Sequence, residues 1–418
     1  MSGTSLTRKI LDAHLASDQT VSGTAAFTID SVLFHDMSGI LGLMAYDDMK
    51  RSRAGVPMPV VFTDHNLTGS SPQTAMDQAF VRSCARAFGL RYSKAGNGIC
   101  HALYAERIAR PGLLMIGADS HSQSCGALGM LGIGMGGMEV AAAMTGRPFP
   151  LRIPKVIQVC LEGRLAPGVT AMDAGLTLLS RLSVKGALGA CLEYTGSCET
   201  LSVPQRMTLC NLGAEMGATA SLFPADRQVL AFLRSQNREA DFKALSADPD
   251  AFYDSKVTLD LGSVVPMIAL PSRPDTAVPV SQAGAVPFSQ IFIGSCANGS
   301  YEAVASAARA LSGQRIHQQV QLLVSCQSRS TLLKLMHDGH IEALLSAGAR
   351  LLECSCGPCM GIGQAPESGT NTLRTTNRNF PGRSGTKDAG IYLASPLTAA
   401  SSALAGHLCD PRSVFSAV

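Results

Sequence analysis

The chain has 418 residues, 46% of them hydrophobic and only 16% charged, so it can fill two or three domains of roughly 100–200 residues each and is no disordered chain. A formal charge of +3 with no polybasic block excludes nucleic acid and membrane surfaces as natural partners and leaves small anionic molecules open. Thirteen cysteines, scattered from Cys84 to Cys409, and an N-terminal stretch from Met1 to Leu15 with no continuous apolar core fit a reducing cytoplasm rather than export.

In chain order, Pro59-Val60-Val61-Phe62-Thr63 is a short apolar run that predicts a buried parallel strand delivering Asp64-His65 at its end. An amphipathic helix is expected over Pro72 to Phe88, and a second buried strand over Leu113 to Gly117, ending at Asp119-Ser120-His121. The stretch Gly126 to Met138 is Gly-laced and too short to span a membrane. Within it, Gly132-Ile133-Gly134-Met135-Gly136-Gly137 satisfies G-x-G-x-x-G. The residues ahead of it do not read as a buried strand and no acidic residue follows about 20 positions on, so it is read as close backbone packing and not as a dinucleotide site. Beyond Arg147-Pro148-Phe149-Pro150, Lys155 to Leu161 is strand-like, and Asn211 lies one helical turn before Glu215.

A Pro/Ala/Val-rich stretch from Pro271 to Pro287 reads as a linker, followed by a strand over Gln290 to Gly294 and helices over Glu302 to Leu311 and Ser330 to His337. Alternating strands and helices predict layered α/β domains, placed at 1–150, 151–282 and 283–418. Ligands in such folds sit at the carboxyl ends of the strands.

Two sets of side chains there carry chemistry. Cys296, in Gly294-Ser295-Cys296-Ala297-Asn298, and the pair Cys356-Gly357-Pro358-Cys359 make three thiols. Three thiolates suit a [4Fe–4S] cube whose fourth iron stays open to substrate, although C-x-x-C also fits a zinc half-site or a redox pair, and Cys354 offers a fourth thiolate. The second set is Asp64-His65, His101, Asp119-Ser120-His121 and Glu215. A histidine paired with a carboxylate supplies the proton that a departing hydroxide needs. Asn377-Arg378-Asn379-Phe380-Pro381-Gly382-Arg383 adds guanidinium groups that hold carboxylates bidentately.

Together with Gly96-Asn97-Gly98-Ile99-Cys100-His101, Asn211-Leu212-Gly213-Ala214-Glu215 and the segment Asn377 to Arg383, these motifs resemble the aconitase family of iron–sulfur hydro-lyases over almost the whole chain. The resemblance implies three α/β/α domains around a central iron–sulfur site, without the mobile fourth domain of single-chain members. It implies a [4Fe–4S] cluster on Cys296, Cys356 and Cys359, with Cys354 outside the ligand set and no role assigned to Cys125 or Cys326. It implies His65, supported by Asp64, as proton donor, and His101–Asp119 and His121–Glu215 pairs around the open iron. Ser120, Asn211 and Asn377 would orient or bind nearby groups, and Arg378 and Arg383 would meet substrate carboxylates. No Gly-Ser-Ser-Arg segment occurs, so a separate small swivel-domain subunit is expected to supply the serine base.

Motif detail looks most like compact bacterial aconitate hydratases, which sets the expectation of a citrate/isocitrate-type substrate. His35, expected among the substrate-binding residues, and the chain length instead resemble the large subunit of 3-isopropylmalate dehydratase, with homoaconitase and methylmalate-type enzymes close by. The rival from another class is a non-catalytic iron–sulfur or zinc protein using Cys354.

Overall fold

The computed structural model describes residues 3–16, 22–69 and 71–415. It is a mixed α/β fold made of two compact units. The first comprises Met1–Ala95, Leu103–Leu161 and Ala187–Thr258; the second comprises Gly96–Ala102, Glu162–Gly186 and Leu259–Val418.

The first unit is built on a five-stranded sheet in the order Arg91–Ser93, Met58–Phe62, Ser31–His35, Leu114–Gly117, Leu131–Gly134, every pairing parallel. Val32, Leu33 and Phe34 are wholly buried, as a central strand covered on both faces requires. A four-stranded sheet follows, in the order Ala220–Leu222, Ala190–Gly196, Lys155–Glu162, Ser255–Asp260. The helix Pro72–Phe88 occupies the expected residues. Ser71 caps its first turn by accepting from Thr74 N at 3.2 Å, proline sits where no donor is needed, and Gly89 ends it at φ 72°.

The second unit carries a seven-stranded sheet in the order Ala277–Pro279, Met267–Ala269, Gly390–Ala394, Asn371–Arg374, Gln290–Ile293, Gln321–Val324, Arg350–Leu351. The last five strands run parallel, and Met267–Ala269 is antiparallel to both its neighbours. Ile291, Leu322, Leu373 and Ala394 from this sheet pack with Val304, Ala308, Ala399 and Ala403 from the helices Tyr301–Leu311 and Pro396–Ala405.

One local expectation changes, and one strand is new. The Pro-rich stretch read as a linker holds the edge strand Ala277–Pro279; an edge tolerates proline because its outer side has no ladder bond to lose. The residues ahead of the glycine motif are no strand, as expected, since Ser120–Leu128 is a 3-10 helix; the motif itself opens within a strand the sequence did not announce, Leu131–Gly134, three of whose four residues are buried. The reading of its glycines as close packing holds. A Cβ on Gly132 would lie 2.4 Å from both Cys125 Sγ and Ser122 O, and one on Gly134 would lie 2.6 Å from Asp119 O. The strand thereby presses against the turn that carries Asp119 and His121. No helix among the described residues is long and apolar enough to cross a membrane.

Candidate active site

In the first unit, three neighbouring strands end in histidines or carboxylates. Ser31–His35 ends at His35 and runs on to Asp36; Met58–Phe62 leads to Asp64-His65; Leu114–Gly117 leads to Asp119-Ser120-His121. Parallel register puts all of these at the carboxyl edge of one sheet. The rings of His35 and His65 stack with centroids 4.0 Å apart and planes 18° apart.

His65 Nδ1 lies 2.8 Å from Asp64 Oδ1, so the proton on that nitrogen is held and Nε2 is left to do chemistry. Nε2 faces Asp119 Oδ2 at 3.9 Å, and His35 Nε2 lies 3.5 Å from the same oxygen. Met37 N–H donates to His35 Nδ1 at 3.3 Å, which assigns the ring proton to Nε2 and lets it donate to Ala118 O at 3.1 Å. On its other side Asp119 accepts from His121 N at 2.7 Å, with its Oδ1 3.4 Å from His121 Nδ1. His121 Nε2 reaches Glu215 Oε1 at 2.9 Å. Asp119 therefore faces His35, His65 and His121 together.

Asn211, on the helix Val203–Gly213, donates to Ser124 Oγ at 3.2 Å and so ties that helix to the turn bearing His121. Ser120 is exposed at the sheet edge. Sequence reading passed over Asp36. It is buried at 1% exposure and accepts from the backbone N–H groups of Asp64, His65 and Asn66 at 3.1, 2.9 and 3.0 Å, clamping the loop that carries His65. Burial first, then the negative charge of Asp64, push its acidity weaker than an ordinary carboxyl. Its signal was a carboxylate directly after a histidine at a strand end.

In the second unit, His101 stands at the start of the helix Cys100–Arg107, and its segment Gly96–Ala102 is tied to Gln327-Ser328-Arg329. Ile99 N donates to Gln327 O at 2.8 Å, and Arg329 N donates to Asn97 O at 2.9 Å.

Cys296 lies in the short helix Ser295–Asn298 after the strand Gln290–Ile293; Cys356 caps the turn Gly357–Met360, and Cys359 lies within it. All three thiols are buried, and Cys296 and Cys356 pack with Ile99 in one small cluster. Donors point at the sulfurs: Asn377 Nδ2 at 3.9 Å from Cys296 Sγ, and a terminal Arg383 nitrogen at 3.6 Å from Cys359 Sγ. Arg378 is half-buried. Cys354 packs elsewhere, in the main apolar core of the unit with Cys326. Cys326 is pushed up to about 12 by burial, then by Cys354. Cys125 is likewise pushed up to about 12 by burial, an inert packing thiol against Gly132.

Residues 8–406 match the model of the aconitase family (aconitate hydratase). Curated relatives span the same length. A 3-isopropylmalate dehydratase large subunit 2 of Archaeoglobus fulgidus is 34% identical over 98% of this chain and 99% of its own. A 3-isopropylmalate dehydratase large subunit 1 of Methanopyrus kandleri is 35% identical over the same shares. A probable methanogen homoaconitase large subunit of Methanosarcina mazei is 36% identical over 92% of this chain and 99% of its own.

Proposed function

The chain belongs to the aconitase family and is a hydro-lyase, and from that premise we propose that it is the cluster-bearing large subunit of a 3-isopropylmalate dehydratase. The observation that carries this is full-length likeness, at 34–35% identity, to relatives that bear this name. It moves the preference away from the citrate/isocitrate-type substrate that motif detail suggested. A homoaconitase is the second reading, favoured by the relative at 36% identity.

The thiol set fits a cluster. Three buried sulfurs with an amide and a guanidinium directed at them suit thiolates, because donors to sulfur stabilise the ligated form. The placement of Cys354 in the apolar core supports three ligands and not four, and so weighs against the zinc and fully ligated alternatives. Cys296, Cys356 and Cys359 would hold a [4Fe–4S] cluster, which when bound supplies a Lewis-acidic iron that eases departure of the substrate hydroxyl.

The chain's own groups do the rest. His65, with Nδ1 fixed by Asp64, holds at Nε2 the proton delivered to the departing oxygen. Asp119 keeps His35, His65 and His121 oriented, and Glu215 fixes the outer nitrogen of His121; His101 is a further catalytic histidine of this proposal. Arg378 and Arg383 bind the carboxylates of a small hydroxy dicarboxylate, while Ser120, Asn211 and Asn377 orient the groups around it. The carbon-bound proton is taken by a serine of a separate small swivel-domain subunit. The domain division 1–150, 151–282 and 283–418 belongs to the same proposal.

The test is anaerobic reconstitution of the chain with ferrous iron and sulfide, mixing with the small subunit, and assay on 3-isopropylmalate, 2-isopropylmalate, citrate and isocitrate. Turnover confined to the isopropylmalates is expected. Turnover of citrate alone overturns the substrate assignment, and inactivity on all four discards it.

A further inference from the structure

Two consecutive residues at the end of the strand Asn371–Arg374 hold both thiol-bearing segments of the second unit. Arg374 is fully buried. Its guanidinium donates to Pro358 O at 2.9 Å, to Gln290 Oε1 at 2.7 Å and to Gln364 O at 3.2 Å, and lies 5.5 Å from the Phe292 ring centroid. Pro358 lies between Cys356 and Cys359. Thr375 takes the other segment: its Oγ1 accepts from Gly294 N at 2.9 Å and donates to Gly294 O at 3.2 Å, while its carbonyl accepts from Asn298 Nδ2 at 2.8 Å.

Backbone conformation shows that the first segment needs such a hold. Ser295, directly before Cys296, sits at φ 74°, a left-handed conformation that a non-glycine residue keeps only when its surroundings enforce it. The second observation is the charge. Every acceptor on Arg374 among the described residues is neutral, so the fold buries a cation without a carboxylate, which is costly unless an anion is supplied. Burial weakens its hold on the proton, to about 10, which still leaves it charged at neutral pH.

We propose that Arg374 and Thr375 are positioning residues that fix the spacing of Cys296 relative to Cys356 and Cys359, and that the Arg374 charge is matched to the anionic sulfur cage those thiols form. This rests on the cluster reading above. A [4Fe–4S] cube in its 2+ state on three thiolates carries about one net negative charge, the complement of a single guanidinium.

The experiment uses the full chain without the small subunit, as wild type and as Arg374→Gln, Arg374→Lys, Thr375→Val and Thr375→Ser, each checked for folding by thermal melting of the apo form. Iron release to a ferrous chelator, followed by bleaching of the visible absorbance, should be faster by about ten-fold in Arg374→Gln and Thr375→Val, and the dithionite-reduced clusters of these variants should give an altered electron paramagnetic resonance signal. Arg374→Lys, which keeps the charge, and Thr375→Ser, which keeps the hydroxyl, should recover most of the wild-type rate. Equal rates and signals across the set overturn the proposal. If Arg374→Gln does not fold, the lysine variant and the two Thr375 variants carry the comparison. Should the wild type itself bind no cluster, the cluster reading fails, and alkylation of Cys296 and Cys359 in the apo chain tests the positioning separately. Rates shifted several-fold at unchanged melting support it, and unchanged rates reject it.

Discussion

The acid–base edge of the first unit and the thiol loops of the second are fixed by opposite means. At the edge, charge does the holding: Asp64 orients His65, Asp119 faces three rings, Glu215 fixes His121 and Asp36 clamps a loop. Around the thiols, Gly294, Asn298 and Pro358 are secured by neutral partners and by one buried guanidinium. Groups that move protons gain from nearby carboxylates, which steer tautomer and orientation. Thiols that must present negative sulfur gain from having none.

The sharpest way to break this comparison is to remove a thiol. Cys296→Ser should abolish cluster binding and activity, whereas Cys354→Ser should keep iron content and turnover and cost only about 1–3 kcal/mol of stability for a hydroxyl in an apolar core. Iron analysis and chemical denaturation read both, and equal iron loss in the two variants would show Cys354 to be a ligand.

Next in size, Asp119→Asn should lower kcat by about 10²–10⁴-fold with iron content unchanged, since it removes the charge that His35, His65 and His121 share. A fall of less than three-fold would demote it to packing. Asp36→Ala leaves two buried N–H groups and one half-buried one without their acceptor, so about 2–4 kcal/mol of stability and about ten-fold in kcat should be lost together. Loss of stability with full turnover would separate the clamp from the chemistry.

The smallest effect concerns pH. Asp173 is wholly buried in the capping box of the helix Ala171–Leu182, and burial raises it to about 6. The unfolded carboxyl gives up its proton near 3.8 and the folded one only near 6, so the folded chain binds more protons between these values. Stability should therefore fall by up to about 3 kcal/mol as pH rises through that window, with no further change above it. Asp173→Asn should flatten that slope in denaturation curves taken at pH 4 and pH 6 without touching turnover.

Much of this architecture was legible in the sequence because strand ends are marked locally. Apolar runs stop at His65 and Asp119, and the helix Pro72–Phe88 carries its own cap and stop. The residues that sequence reading missed act across strand pairings. Asp36 reaches the 64–66 loop only because Ser31–His35 lies in parallel register with Met58–Phe62. Thr375 reaches Gly294, and Arg374 reaches Gln290, only because Asn371–Arg374 neighbours Gln290–Ile293. No spacing along the chain announces a partner 28 residues away, as for Asp36 and Asp64, or 81 away, as for Thr375 and Gly294. The edge strand Ala277–Pro279 was hidden for a related reason, since prolines forbid a central strand but not an outer one.

The interleaving of the two units sets the order in which they can fold. The first unit draws on residues as late as Thr258 and is interrupted by Gly96–Ala102 and Glu162–Gly186 of the second, so neither unit is complete before Thr258 has left the ribosome. A nascent chain arrested at Gly186 should remain sensitive to protease, and protection should arrive only once the segment through Thr258 has emerged.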